Sequence, residues 1–233
     1  MDLNLGNQTQ PGLQTVNPDQ KKIWFNIFQG FLVVSLLLTV PLCKVLPHSY
    51  GWENGPVEWL QVVVLALGFI VCAGFMCFEK NRKFALFWGW TLPIWLIMIA
   101  RELSWGAAFF PPQSIGVNGP VLITREMLWY GKVVHPIVGI ILLGWIVAGI
   151  YYRLYSLVIK LFQRKAFPVP VLSIAIMAII IATLSEKHIF AVADGKNMLL
   201  EEMLEAVFYL GLVLIPIGIK ALLPVDVKVD ISA

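Results

Sequence analysis

Six long apolar runs, divided by short polar connections, constrain this chain more tightly than any single motif in it. They cover residues 23–46, 57–78, 84–110, 133–161, 169–190 and 198–223. As α-helices rising about 1.5 Å per residue, each reaches across a hydrocarbon layer ~30 Å thick. Hydrocarbon offers no partner to an unpaired backbone N–H or C=O, so such runs become helices that satisfy their own ladders. The expected fold is therefore all-α, a polytopic integral membrane bundle of about six transmembrane helices with both termini cytoplasmic. Composition agrees: 59% of residues are hydrophobic and 13% are charged, about half the charged share of a soluble domain.

Prolines punctuate the runs. Pro56, Pro136, Pro168 and Pro170 stand near expected helix starts, where a missing N–H costs little, whereas Pro41, Pro93 and Pro216 fall inside spans. The polar stretch 1–20, rich in Asn, Gln and Gly, lacks a basic start followed by a cleavage site, and is expected to be a disordered cytoplasmic tail. Residues 21–225 form one transmembrane domain, and 226–233 a short cytoplasmic tail. No motif relates the first three spans to the last three, as the inverted repeats of many transporters would require.

Orientation follows from Lys and Arg in the connections. Lys21 and Lys22, then Lys80, Arg82 and Lys83, then Lys160, Arg164 and Lys165, and finally Lys220 and Lys228 mark one side as cytoplasmic. Trp52, Trp59, Trp105 and Trp129 gather near the opposite helix ends, as an interfacial aromatic belt does. A bacterial inner (plasma) membrane is the expected location. A net charge of +3 gives no reason to expect nucleic acid, so the expected partners are membrane lipid and a partner membrane protein or second copy of the chain. Cys43, Cys72 and Cys77 show neither paired nor metal-ligand spacing and are read as small core residues.

Against this apolar background, ionisable side chains inside the spans are the candidates for function, because each is costly in hydrocarbon unless paired, protonated or facing water. Counted from its cytoplasmic anchor at ~1.5 Å per residue, each of these groups reaches a depth of roughly 22 to 31 Å. Arg101 and Glu102 on the third span, Glu186 on the fifth, Glu201, Glu202 and Glu205 on the sixth, His135 on the fourth and Glu58 on the second would thus share one layer. Glu205 lies one turn from Glu201 and Glu202, so the three point towards one broad helix face. Three like charges there predict that Arg101 faces one of them. Glu186 and His188 diverge by ~200° on a helix, so only one joins the layer, and Glu186 is preferred.

Two chemistries suit such a layer. Glu102, Glu186, Glu201, Glu205 and His135, drawn from several helices, have the ligand types of a divalent metal site that activates water. Without metal, Glu102, Glu202 and Glu205 would serve as acid and base, with Arg101 catalytic and also holding an anionic group beside Ser104 and Trp105. The function expected first is a membrane-embedded hydrolase or transferase acting on a lipid or lipid-linked substrate at the non-cytoplasmic face. The alternatives are an accessory or scaffold subunit of a membrane complex, and a proton- or cation-coupled transporter.

Overall fold

In the computed structural model, residues 18–116, 119–187 and 196–223 are described, and they form seven α-helices, three short 3-10 turns and a small hairpin. The helices are α1 (Pro18–Val45), α2 (Pro56–Phe78), α3 (Arg82–Glu102), α4 (Gly131–Tyr151), α5 (Leu154–Gln163), α6 (Val169–Glu186) and α7 (Asn197–Leu222). All but α5 are long and apolar enough to cross a membrane, six in number among the described residues. The protein is an all-α integral membrane bundle. The expected tails at 1–20 and 226–233 fall almost wholly outside the described residues, as do His188 and the expected end of the fifth span at Phe190.

The hub of the bundle is α7, which packs against α6, α2 and α1, while α2 also carries α3. Half of the most apolar stretch of α7 (50%) is buried, against 6% for α4, so α4 stands at the periphery. Between helices in lipid, close van der Waals fit replaces the hydrophobic drive of water. At Gly211 of α7 an added Cβ would sit 2.8 Å from the Ala175 Cβ of α6, which is why the tightest seam has no side chain there. Leu199, Leu200 and Leu204 of α7 pack with Cys43, Val57 and Ala182 towards one end. Phe84, Phe87 and Trp88 of α3 pack with Leu157 and Leu161 of α5 towards the other.

The peripheral α4 is held to α3 by a reciprocal pair of tryptophans. Trp90 and Trp145 stack with ring centroids 4.4 Å apart and planes 3° from parallel. Each indole Nε1 donates to the other residue's backbone carbonyl at 2.8 Å. Two polar donors are thereby satisfied inside an apolar seam.

Two expected spans end earlier than the hydropathy suggests. The third stops at Glu102 and not at Phe110, because Ser104, Trp105 and Gly106 take positive φ values of 47°, 57° and 95° and turn the chain away. The fourth breaks after Tyr151: Arg153 is left-handed (φ 51°), and the remaining apolar residues form the separate helix α5. An unbroken helix over 133–161 would be about 43 Å long, well beyond the ~30 Å layer. The chain folds α5 against the bundle instead, burying Leu154, Leu157 and Leu161. Pro56 and Pro170 do stand in first turns of α2 and α6, with Pro168 capping α6, whereas Pro136 lies inside α4.

Candidate functional site

The start of α7 is fixed first. Lys196, just before the helix, donates from Nζ to the carbonyls of Lys44 (3.1 Å) and Leu46 (2.8 Å) at the end of α1. A cation there satisfies carbonyls left open by the last turn. From this anchor, the opening turns of α7 carry Glu201, Glu202 and Glu205 towards α2 and α3.

The α2 side contributes Gln61, which is 0% exposed. Its Nε2 donates to the Glu202 backbone carbonyl at 2.7 Å and to Glu202 Oε2 at 2.8 Å. The other amide atom, Oε1, is buried without a hydrogen-bond partner among the described residues. One turn earlier Glu58 accepts from the backbone N–H of Asn54, closing the first turn of α2. Asn54 also reaches the next connection: its Nδ2 donates to Ala108 O at 3.0 Å, and its Oδ1 accepts from Trp59 Nε1 at 2.8 Å.

The end of α3 completes the arrangement. Glu102 is 7% exposed and accepts a hydrogen bond from Tyr209 of α7, Oη to Oε1, at 2.6 Å. Arg101, beside it, remains open, with its side chain 62% exposed. Its Nε lies 3.9 Å from Glu102 Oε1, and its terminal nitrogen lies 3.7 Å from Glu205 Oε1, with Glu205 15% exposed. These are charge-pair distances and not hydrogen bonds. Among the described residues the guanidinium makes no hydrogen bond, so its five N–H donors remain available. Behind it, the Trp105 carbonyl accepts from Tyr130 Oη at 2.9 Å. Glycine is required at position 106, where φ is +95° and an added Cβ would lie 2.6 Å from Tyr130 Oη.

Among the described residues, acids outnumber bases in this layer. Glu58 feels Glu102 and Glu205, and Glu202 feels Glu58, Glu102 and Glu205, across a desolvated space. Glu201 lies within reach of Glu205, Glu186 and Arg101. Among the described residues Arg101 is the cation paired with these carboxylates.

Of the residues expected from sequence, Arg101, Glu102, Glu202 and Glu205 come together around α7, with Glu58 and Glu201 in electrostatic reach. The expected pairing of Arg101 with an acid of the last span is found at Glu205. Ser104 and Trp105 follow directly in the left-handed turn. Glu186 is exposed at the end of α6 and reaches the layer only through space. His135 lies apart: it is exposed on α4, with Nδ1 3.4 Å from the Arg125 guanidinium. Arg125 also pairs with Glu126, whose carboxyl, outside the spans, is held below its usual range by hydrogen bonds from its own backbone and from Arg125. Among the described residues no three His, Cys, Asp or Glu side chains are grouped to hold a metal ion, the expected set of Glu102, Glu186, Glu201, Glu205 and His135 included.

Tyr209, Gln61 and Asn54 are partners that the sequence reading passed over. Two carried a signal. Gln61 stands three residues after Glu58 and Tyr209 four after Glu205, each in the helical spacing that shares a face. No family model matches the chain, and no curated protein or solved structure is similar enough to match it.

Proposed function

We propose that this protein is a membrane-embedded hydrolase or transferase whose carboxylates carry out acid–base chemistry on a lipid or lipid-linked substrate. The reading rests on one observation above all: a largely exposed guanidinium, with no hydrogen bond among the described residues, stands between Glu102 and Glu205 at the end of a membrane-spanning bundle. Arg101 receives an ester or phosphate oxygen, which its planar donor fork suits. Glu205, less buried than Glu102, moves the proton to or from the reacting group. Glu102, held by Tyr209, keeps the guanidinium placed, and Gln61 fixes Glu202 as the second carboxylate within reach. No step is routed through a metal, because the described residues are not grouped as ligands.

With the basic connections facing the cytoplasm of an inner membrane, this site opens towards the non-cytoplasmic leaflet. Substrate enters sideways from lipid, consistent with a site at helix ends and connections.

The test is reconstitution into vesicles of native lipid extract, followed by mass spectrometry of the lipids over time. Wild type is expected to consume a lipid species, with Glu205→Gln slowing it on the order of 10²- to 10⁴-fold. Arg101→Ala is expected to do the same, and Arg101→Lys to restore little. Unchanged lipid profiles with wild type, together with a stably copurifying membrane protein that survives Glu205→Gln, would establish the scaffold alternative instead.

A further inference from the structure

The opposite end of the bundle holds a second feature that the carboxylate site does not explain. A recess of about 460 Å³ is lined by Lys80, Asn81, Arg82, Lys83 and Leu86, in the connection from α2 into α3. A second cavity, about 470 Å³, runs between α3 and α4 and is walled by apolar side chains such as Met76, Ala85 and Ala148. Arg82 and Leu86 line both, so the basic recess is the mouth of the apolar groove.

We infer that this composite site binds an anionic phospholipid, its phosphate at Lys80, Arg82 and Lys83 and one acyl chain in the α3/α4 groove.

Two considerations select that occupant. The first is charge. None of the three basic side chains is in an ion pair among the described residues, and the neighbouring acid, Glu79, has a side chain 1% exposed and paired with Lys220. The first-turn amides of Lys83 and Phe84 are already taken by Asn81 Oδ1, at 3.0 and 3.3 Å, so an anion here meets side chains and not a helix terminus. The second is the apolar path that starts at this charge. The groove leaves Arg82 and reaches Pro93 and Ile141, about 16 Å along α3. A further apolar cavity of about 490 Å³, lined by those same two residues, continues it towards Ala100 and Trp105. An anionic head above an acyl chain complements both parts at once, whereas a zwitterionic lipid or a small polar anion matches only one.

The proposal is tested on the full-length protein purified in detergent, by thermal unfolding and native mass spectrometry. The added ligands are phosphatidylglycerol, phosphatidylcholine with the same chains, and water-soluble glycerol phosphate. Phosphatidylglycerol is expected to raise the unfolding midpoint and remain bound in the gas phase, phosphatidylcholine much less, and glycerol phosphate to do neither. Replacing Arg82 and Lys83 by Gln should weaken phosphatidylglycerol roughly thirtyfold, about fivefold per basic side chain. Gly144→Phe, which fills the groove, should weaken both lipids alike. For wild type alone, added salt should erase the preference for the anionic lipid. Equal binding of the two lipids, a preference indifferent to salt, or a shift produced by glycerol phosphate by itself would each overturn the assignment.

Discussion

Glu102 shows how much a single side chain depends on its surroundings here. A carboxylate this buried is tolerated because Tyr209 donates to it and Arg101 stands beside it. Tyr209→Phe keeps the packing and deletes the donor, and is expected to destabilise the purified protein by about 1–3 kcal/mol. Denaturant unfolding in mixed micelles measures this, and a change below about 0.5 kcal/mol would show that the bond contributes nothing net. In sequence, Glu102, Glu202 and Glu205 were visible as charges in apolar runs, which is the strongest single-residue signal a membrane chain gives. Their partners were less visible, because Gln61 and Tyr209 are ordinary residues until their helical spacing from Glu58 and Glu205 is counted. The separate location of His135 was not legible at all. Its depth matched that of the acids, but depth along a helix says nothing about which way the helix faces.

Helices were found by hydropathy, whereas their ends were set by backbone conformation. The run through Phe110 is as apolar as a helix requires, yet three consecutive left-handed residues end α3 at Glu102 and place Arg101 at a helix terminus instead of within one. The run through Leu161 is divided by Arg153 for a reason of length that the sequence did contain. The pairing of α3 with α4 was hidden, since it rests on two tryptophans that each seek a carbonyl on the other helix. Trp90→Phe and Trp145→Phe are each expected to cost about 1 kcal/mol through the lost hydrogen bond. The double variant should depart from additivity by about 0.5 kcal/mol or more, because the two rings share one stack. Simple addition of the single effects in unfolding experiments would mean the clasp is two independent bonds.

For the molecule as a whole, the bundle is asymmetric: carboxylates crowd one end of α7, and basic connections occupy the other. Lys and Arg counts then predict which end faces the cytoplasm. In a Cys77→Ser background, Asn81→Cys is expected to react with a membrane-impermeant maleimide only in inverted vesicles, and Gln113→Cys only in intact cells. The opposite labelling pattern would reverse the leaflet from which substrate is drawn and leave the site geometry untouched. Class and span number were legible because hydrocarbon permits so few backbone solutions. The chemistry was less so, because a reaction depends on sub-ångström neighbours that no spacing rule supplies.

The central position of α7 has a consequence for biogenesis. This helix leaves the ribosome after α1, α2 and α6, the helices it packs against, so those must wait in the bilayer without their common partner. Until it arrives, Glu102 has no tyrosine, Arg101 has no second acid, and Gln61 has no carbonyl. The polar layer is therefore completed in one late event, and an insertion machinery that shelters unfinished bundles would meet this protein with the Arg101–Glu102 pair made and Gln61 still unmatched.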